Sequence, residues 1–244
     1  MISKPKYKKI LLKLSGEALL PNNERYGISI DNARWVAEEI NELCEKGISV
    51  AVVIGGGNIF RGVTAQEGGI NRVRADSIGM LATVINGLAL LEVFEKTGIK
   101  ARLLSARKID AIADLYTTDL AKSAWQEGHV LVLVGGTGNP FFSTDTAASL
   151  RAAELGADAI FKGTKVDGVF DKDPLKNKNA EKFDKLSFDE VLKRNLKVMD
   201  STSVSMCRDN NIPIVVFNVF ERGNLLKAAF GKQIGTVIYD YKNM

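Results

Sequence analysis

Histidine is almost missing from this chain. One, His129, serves 244 residues, and it opens the apolar stretch "HVLVLV" as a strand-edge residue would. Its scarcity excludes histidine-rich metal sites and the nucleophilic triads that need an imidazole base. Cysteine is scarce too. Cys44 and Cys207 stand far apart, match no metal-ligand spacing and offer no disulfide framework, so a reducing compartment, the cytoplasm, is expected. Charge of one sign is also lacking: 33 basic residues face 29 acidic ones, a surplus too small to argue for nucleic acid. The basic run "KPKYKK", Lys4 to Lys9, reads as a solvated lead into a strand. No apolar signal segment follows the polar N-terminus. The long uncharged run Ser77 to Leu91 contains Ser, Thr, Asn and two Gly between Asp76 and Glu92, and is too short and polar for a membrane span. A Walker loop, G-x-x-x-x-G-K-[ST], is absent, and neither "IGGGN" nor "VGGTGN" completes the G-x-G-x-x-G of dinucleotide binders.

What is present is a regular alternation of short apolar runs and longer helical patterns. "KKILLKL", "SVAVVI", "KARLL", "HVLVLV", "ADAIFKG", "IPIVVF" and "GTVIYD" read as strands, several apolar on both faces as in a buried parallel sheet. Between them, "DNARWVAEEINELCEKG" reads as a helix capped by Asp31 and stopped by Gly47, and a long apolar helix is expected from Asp76 to Lys96. "DTAASLRAAELG" and "SFDEVLKRNL" are further helices, and "TKVDGVF" reads as a hairpin. The charged stretch Asp171 to Lys185 is expected to be a mobile surface excursion. Repeated strand–helix–strand units predict an α/β fold with a mostly parallel sheet covered by helices on both sides. No linker divides the chain, so a single domain of two lobes meeting near residue 155 is expected.

Three glycine-rich turns each follow a strand: "LSGEA", "IGGGN" and "VGGTGNPFFSTDTA". In a parallel sheet such turns share one edge, where ligands bind, and glycine lets backbone N–H groups approach an anion closely. Three on one edge indicate a phosphate site. The near absence of a base that titrates around neutrality fits a reaction needing little proton chemistry. Phosphoryl transfer onto a phosphate acceptor is such a reaction, since a phosphate monoester loses its second proton near pH 6. Catalysis then reduces to alignment and charge stabilisation. Lys13, set in the apolar run "LLKLSGEAL", either returns its ammonium to water or meets a negative group, and a donor phosphate is a suitable one.

Together "KLSGEAL", "VVIGGGNIFRG", "RADSIGMLATVINGLAL", "GTGNPFFSTDTAA", "TKVDGVFDKDP" and "KVMD" resemble the bacterial uridylate kinases of the amino-acid-kinase superfamily, over about Lys8 to Asp240. The resemblance implies a three-layer αβα sandwich of the carbamate-kinase-like type. It implies an acceptor-binding and oligomerisation lobe over about 1–155 and an ATP-binding lobe over about 156–244. It further implies ATP-dependent phosphorylation of UMP to UDP, Mg²⁺ held mainly by nucleotide phosphates, no protein-bound metal, a homohexamer, and inhibition by UTP.

By the same resemblance, Lys13, Leu14, Ser15 and Gly16 contact ATP phosphates, and Gly56, Gly57 and Arg61 lie between donor and acceptor phosphates. Asp76 holds the UMP ribose, and Thr137, Gly138, Asn139, Pro140, Phe141, Phe142, Ser143 and Thr144 form the UMP pocket. Thr164, Phe170 and Asp173 belong to the ATP site. Asp145, Lys162 and Asp200 fall near the active centre, Asp200 orienting lysines and Lys162 reaching the transferring phosphoryl; Lys13, Arg61, Lys162 and Asp200 are the catalytic candidates. Plainer roles stay open: Asp76 as the N-cap of the long helix, Asp173 as a turn former before Pro174, and Arg61 as a surface residue. The long apolar helix reads as core or subunit interface. The stretch "ALLPNNERYGIS" departs from the glycine-rich loop that the family links to GTP regulation, which leaves GTP activation open. Two rival readings remain. One is a superfamily kinase for acetylglutamate or carbamate, against which "GTGNPFFST" argues. The other is a nucleotide-sensing module without catalysis, against which Lys13, Arg61 and Asp200 together argue.

Overall fold

The computed structural model describes residues 4–62, 68–174 and 176–240. Its frame is a nine-stranded sheet in the order β4-β3-β5-β2-β1-β6-β10-β11-β9. In chain order the strands are β1 (Lys9–Leu14), β2 (Ser49–Ile54), β3 (Ala101–Ser105), β4 (Asp114–Leu115), β5 (Val130–Val134), β6 (Ala159–Thr164), β9 (Lys185–Ser187), β10 (Ile214–Asn218) and β11 (Thr236–Tyr239). All pairings in it are parallel except β10 with β11. The helices are α1 (Ile30–Glu45), α2 (Arg72–Lys96), α3 (Thr118–Gln126), α4 (Thr144–Leu155), α5 (Phe188–Lys193), α6 (Ser201–Asp209) and α7 (Asn224–Ala229).

Strand alternation builds two apolar layers. Leu12, Leu14, Val52, Ile54 and Phe161 face one side with α1, α2 and α7, and Leu11, Val53, Leu131, Ile160 and Ile214 face the other with α3, α4, α5 and α6. The result is the expected three-layer sandwich. Leu12 is 1% exposed, so Leu12→Ala would cost about 2–5 kcal/mol. The sheet is continuous through β1, which pairs with β2 on one side and with β6, from the second half of the chain, on the other.

Several local expectations need correction. The cap of α1 is Ser29, whose Oγ accepts from Asn32 N at 3.2 Å, and Asp31 already lies inside the helix. Helix α2 starts four residues before Asp76, capped by Asn71. "TKVDGVF" is no hairpin by itself: its Val169–Phe170 (β7) pairs antiparallel with Lys182–Phe183 (β8), across the loop read as a bare excursion. Two helices, α3 and α6, were not anticipated. Helix α2 is long and apolar enough by composition to cross a membrane, but one face lies in the core through Val84, Leu90 and Phe94.

Candidate active site

The lysine of the first strand is not free in water. Lys13 and Lys162 are register partners on β1 and β6, and alternation sends both toward the α4 layer, as it sends Leu11 and Ile160. Asp145, in the first turn of α4, meets them both. Its Oδ1 lies 2.7 Å from Lys13 Nζ and its Oδ2 lies 2.9 Å from Lys162 Nζ. The Lys162 ammonium also donates to the Val198 carbonyl. All three side chains are largely buried. Burial works against the charge of Asp145, but the Lys13 and Lys162 ammoniums prevail and hold its carboxyl below the ordinary range. Burial, with Lys13 adding repulsion, lowers the Lys162 ammonium despite the attraction of Asp145. Two ammoniums thus share one carboxylate beneath the glycine edge, with the Asp200 charge acting on Lys162 from farther off.

Asp200 is hydrogen-bonded to hydroxyls and an amide, and it acts on Lys162 through its charge, which favours the ammonium, rather than by direct contact. It caps α6 by accepting from Ser203 N at 2.9 Å, and it accepts from Ser143 Oγ, Thr146 Oγ1 and Ser203 Oγ. Burial opposes its charge, yet these hydrogen bonds, that of Ser143 foremost, hold its carboxyl low. Asp200 thereby ties the N-terminus of α4 to that of α6. Ser143 caps α4, its Oγ accepting from Asp145 N at 3.0 Å, and so passes this anchorage to the lysine clamp. The lysines are oriented by Asp145.

The glycine turns after β1 and β2 touch. A Cβ on Gly16 would come within 2.2 Å of Asn58 Oδ1, and one on Gly56 within 2.7 Å of the Ala82 side chain, so neither position admits a larger residue. Two residues that sequence reading passed over hold this contact. Asn58 and Asn86 are wholly buried and exchange hydrogen bonds of 2.9 and 2.7 Å; Asn86 Nδ2 also donates to Gly55 O, and Asn58 Nδ2 to Gly27 O. One turn earlier on α2, Thr83 Oγ1 accepts from Gly135 N at 2.8 Å. The polar residues inside the apolar helix therefore fasten two of the three glycine turns. Their signal was present in the sequence as polar residues breaking an apolar run.

Two cavities flank this centre. The smaller, about 150 Å³, is lined by Gly56, Gly57, Asp76, Phe142, Ser143 and Thr144 among others. The larger, about 600 Å³, is lined by Lys162, Thr164, Phe170 and Asp173, with Lys197 and Val198. Gly57 thus faces the smaller cavity. Thr137, Gly138, Asn139, Pro140 and Phe141 form the turn beside it without lining it. Phe141 has φ +71° and is 64% exposed, its amide donating to Asp76 Oδ2 at 2.7 Å while the Arg72 guanidinium lies over its ring. Asp76 does not cap α2; it lies in the second turn, where it also accepts from Arg72 Nε at 2.8 Å. The Leu14 side chain is fully buried in the core, which leaves only its backbone for a ligand. Ser15 is exposed and caps a short 3₁₀ turn, Gly16–Leu19. Thr164 Oγ1 bonds to the Val166 and Phe217 carbonyls, and Asp173 O accepts from Lys176 and Asn177 amides, so Asp173 forms a turn as well as lining the cavity. Arg61 is half exposed and pairs with Glu17, a residue sequence reading did not single out.

The profile of the amino acid kinase family matches residues 8–218. The chain belongs to the amino acid kinase family. Its relatives in it include a uridylate kinase of Bacteroides thetaiotaomicron, 48% identical over 96% of this chain and 99% of that protein. A uridylate kinase of Magnetococcus marinus is 49% identical over 96% of this chain and 97% of its own length. Among solved structures, UMP kinase from Bacillus anthracis superposes with a TM-score of 0.93 at 40% identity, covering 96% of this chain and 97% of that one. The family resemblance seen in the motifs and the sandwich fold agree with these relatives.

Proposed function

We propose that the chain transfers the γ-phosphoryl group of ATP to UMP, giving UDP and ADP. The observation that carries the reading is the Lys13–Asp145–Lys162 clamp, whose Lys162 lines the larger cavity while Thr144, beside Asp145, lines the smaller. A donor in the larger cavity and an acceptor in the smaller bring two polyanions together beside two buried ammoniums. Relatives sharing about half of the residues are uridylate kinases, which supports UMP as the acceptor. The reading assigns ATP phosphates to Lys13 and the backbone of Leu14, Ser15 and Gly16, and adenosine to the surface near Thr164, Phe170 and Asp173. Gly56, Asp76 and the turn from Thr137 to Thr144 take UMP. Arg61 brings a planar fork of donors to the moving phosphoryl. The N-terminus of α4 adds its dipole to the acceptor phosphate. Asp200 acts through Ser143 rather than on substrate. No general base is required, because the acceptor phosphate is already ionised at neutral pH.

Among the described residues no cluster of three or more His, Cys, Asp or Glu could cage a metal ion. Both oxygens of Asp145 meet lysines, and Asp200 is engaged by hydroxyls. The reading therefore assigns Mg²⁺ to the nucleotide phosphates, arriving with ATP. The two cavities, one lined from residues 56–144 and one from 162–216, support an acceptor lobe and a donor lobe. Ile78, Leu81, Ile85 and Leu88 leave an apolar face of α2 exposed, which suits burial between subunits of a homohexamer. UTP inhibition follows by competition for the UMP pocket. Two free thiols suit the cytoplasm.

A coupled assay with ATP and Mg²⁺ across UMP, CMP, dUMP, acetylglutamate and carbamate tests the reading. UDP formation from UMP is expected. Transfer to a carboxylate but not to UMP overturns it, and UMP binding without UDP formation leaves a nucleotide sensor instead.

A further inference from the structure

We infer that Glu17 is a positioning residue, holding Arg61 and Lys165 together and competing with phosphate oxygens for them. The inference rests on the phosphotransfer reading. The two oxygens of Glu17 are divided: Oε1 accepts from Arg61 Nη2 at 2.9 Å, and Oε2 lies 2.9 Å from Lys165 Nζ. The three residues follow three different strands, β1, β2 and β6, at one edge of the sheet. Arg61 comes from the first half of the chain and Lys165 from the second, so a single carboxylate joins the two halves at that edge.

Local structure fixes that carboxylate. Ser15 Oγ accepts from Glu17 N at 3.3 Å, and Ala18 and Leu19 anchor the short turn in the core. The Lys165 hydrogen bond, against burial and with the help of Arg61, keeps the Glu17 carboxyl below its ordinary value. A cavity of about 410 Å³, with Arg25 and Tyr26 also on its wall, adjoins the three side chains and gives them room to swing.

Ion pairs this exposed are weak and exchange readily. A triphosphate presents several charged oxygens and suits the guanidinium fork better than one shared carboxylate oxygen does. Phosphate therefore displaces Glu17, and the carboxylate returns on release. Meanwhile Arg61 is kept along the glycine turn, where its Nε donates to Gly57 O at 3.3 Å. Glu17 thus limits how tightly this edge grips any polyanion, product included.

Calorimetric binding of inorganic tripolyphosphate at low ionic strength, to wild type and Glu17→Gln, tests this alongside steady-state kinetics. The expected result is about three- to tenfold tighter tripolyphosphate binding in the variant, the size of one or two exposed ion pairs. The kcat and the KM for ATP should fall together, because over-tight ground-state binding slows release. Glu17→Asp keeps the charge but is too short to span both cations, and should fall between; it carries the same test if Glu17→Gln lowers Tm. Unchanged or weaker tripolyphosphate binding overturns the inference, as does a raised KM with kcat retained. Tripolyphosphate needs no acceptor, so a wild type that makes no UDP defeats the phosphotransfer reading while this binding comparison still decides Glu17.

Discussion

Two carboxylates in this molecule each stand between two cations, and depth makes them opposites. Asp145 lies buried between Lys13 and Lys162, two backbone-registered lysines on neighbouring strands. Glu17 lies at the rim between Arg61 and Lys165, with side chains about half exposed. Water screens the rim charges and lets them exchange partners. The buried charges are fixed before any substrate arrives, in surroundings where each counts for more. One arrangement suits chemistry and the other suits entry and release.

The sharpest way to break the contrast is Asp145→Asn, which leaves two neighbouring ammoniums buried with no carboxylate. Removing one member of a buried cluster in this manner costs about 3–5 kcal/mol, which should appear as a large fall in Tm. The same residue sets an acid limb. Although burial opposes it, the lysines hold the native Asp145 carboxyl below its ordinary value, so its stabilising contribution is complete above about pH 3.9. That contribution is lost as pH falls through the lower native value, where the folded state must take up the proton. In Asp145→Asn the part of acid unfolding due to this residue should vanish from a Tm-against-pH series.

Next in size is Lys13→Met. It leaves Asp145 paired with Lys162 as a neutral couple, so Tm should change little while turnover falls at least about 100-fold. Near-normal turnover would reduce Lys13 to a structural partner of Asp145.

Asp76→Asn tests the acceptor side. A hydrogen bond to a charged group is worth about 1.5–3 kcal/mol, so kcat/KM for UMP should fall about 10- to 150-fold. With dUMP, lacking the 2′-hydroxyl, much of that loss should disappear. An unchanged UMP:dUMP ratio would leave Asp76 to its Arg72 and Phe141 contacts alone.

At the rim the effects shrink. Arg61→Lys keeps the charge but loses the fork, and kcat should drop about tenfold with a smaller change in the KM for UMP. Smallest of all is the stability of the rim pairs: Glu17→Gln should shift unfolding by less than about 1 kcal/mol, a difference that salt erases. A rim effect matching that of Asp145→Asn would abolish the distinction of depth.

The long elements and the glycine edge were legible in the sequence, because β-branched apolar runs and glycine clusters carry their own period and punctuation. Strands of two residues, such as β4 and β8, have no period to read. Helix α6, "STSVSMCRD", is rich in Ser and Thr, which favour caps and turns over helix interiors. For α1, Asp31 was read as the cap, but the backbone conformation puts it at Ser29, two residues earlier. In the site, single residues with chemical character were visible, but their pairings were not. Lysine orientation was expected of Asp200, whereas the direct lysine contacts belong to Asp145, because the pairing depends on which helix N-terminus lies above β1 and β6. Glu17, Lys165, Asn58 and Asn86 were not singled out at all. Their roles exist only once three strand ends and a helix are brought to one edge.

On this proposal the buried lysine clamp and Arg61 perform the transfer, while the Glu17 carboxylate governs grip and release. Rapid-quench single-turnover transfer from ATP to UMP, with Lys13→Met and Glu17→Gln run beside wild type, tests it most directly. The single-turnover rate should be at least about 100-fold lower in Lys13→Met and close to wild type in Glu17→Gln, whose deficit emerges only over repeated turnovers. A Glu17→Gln enzyme slow in its first turnover, or a Lys13→Met enzyme as fast as wild type, would contradict it.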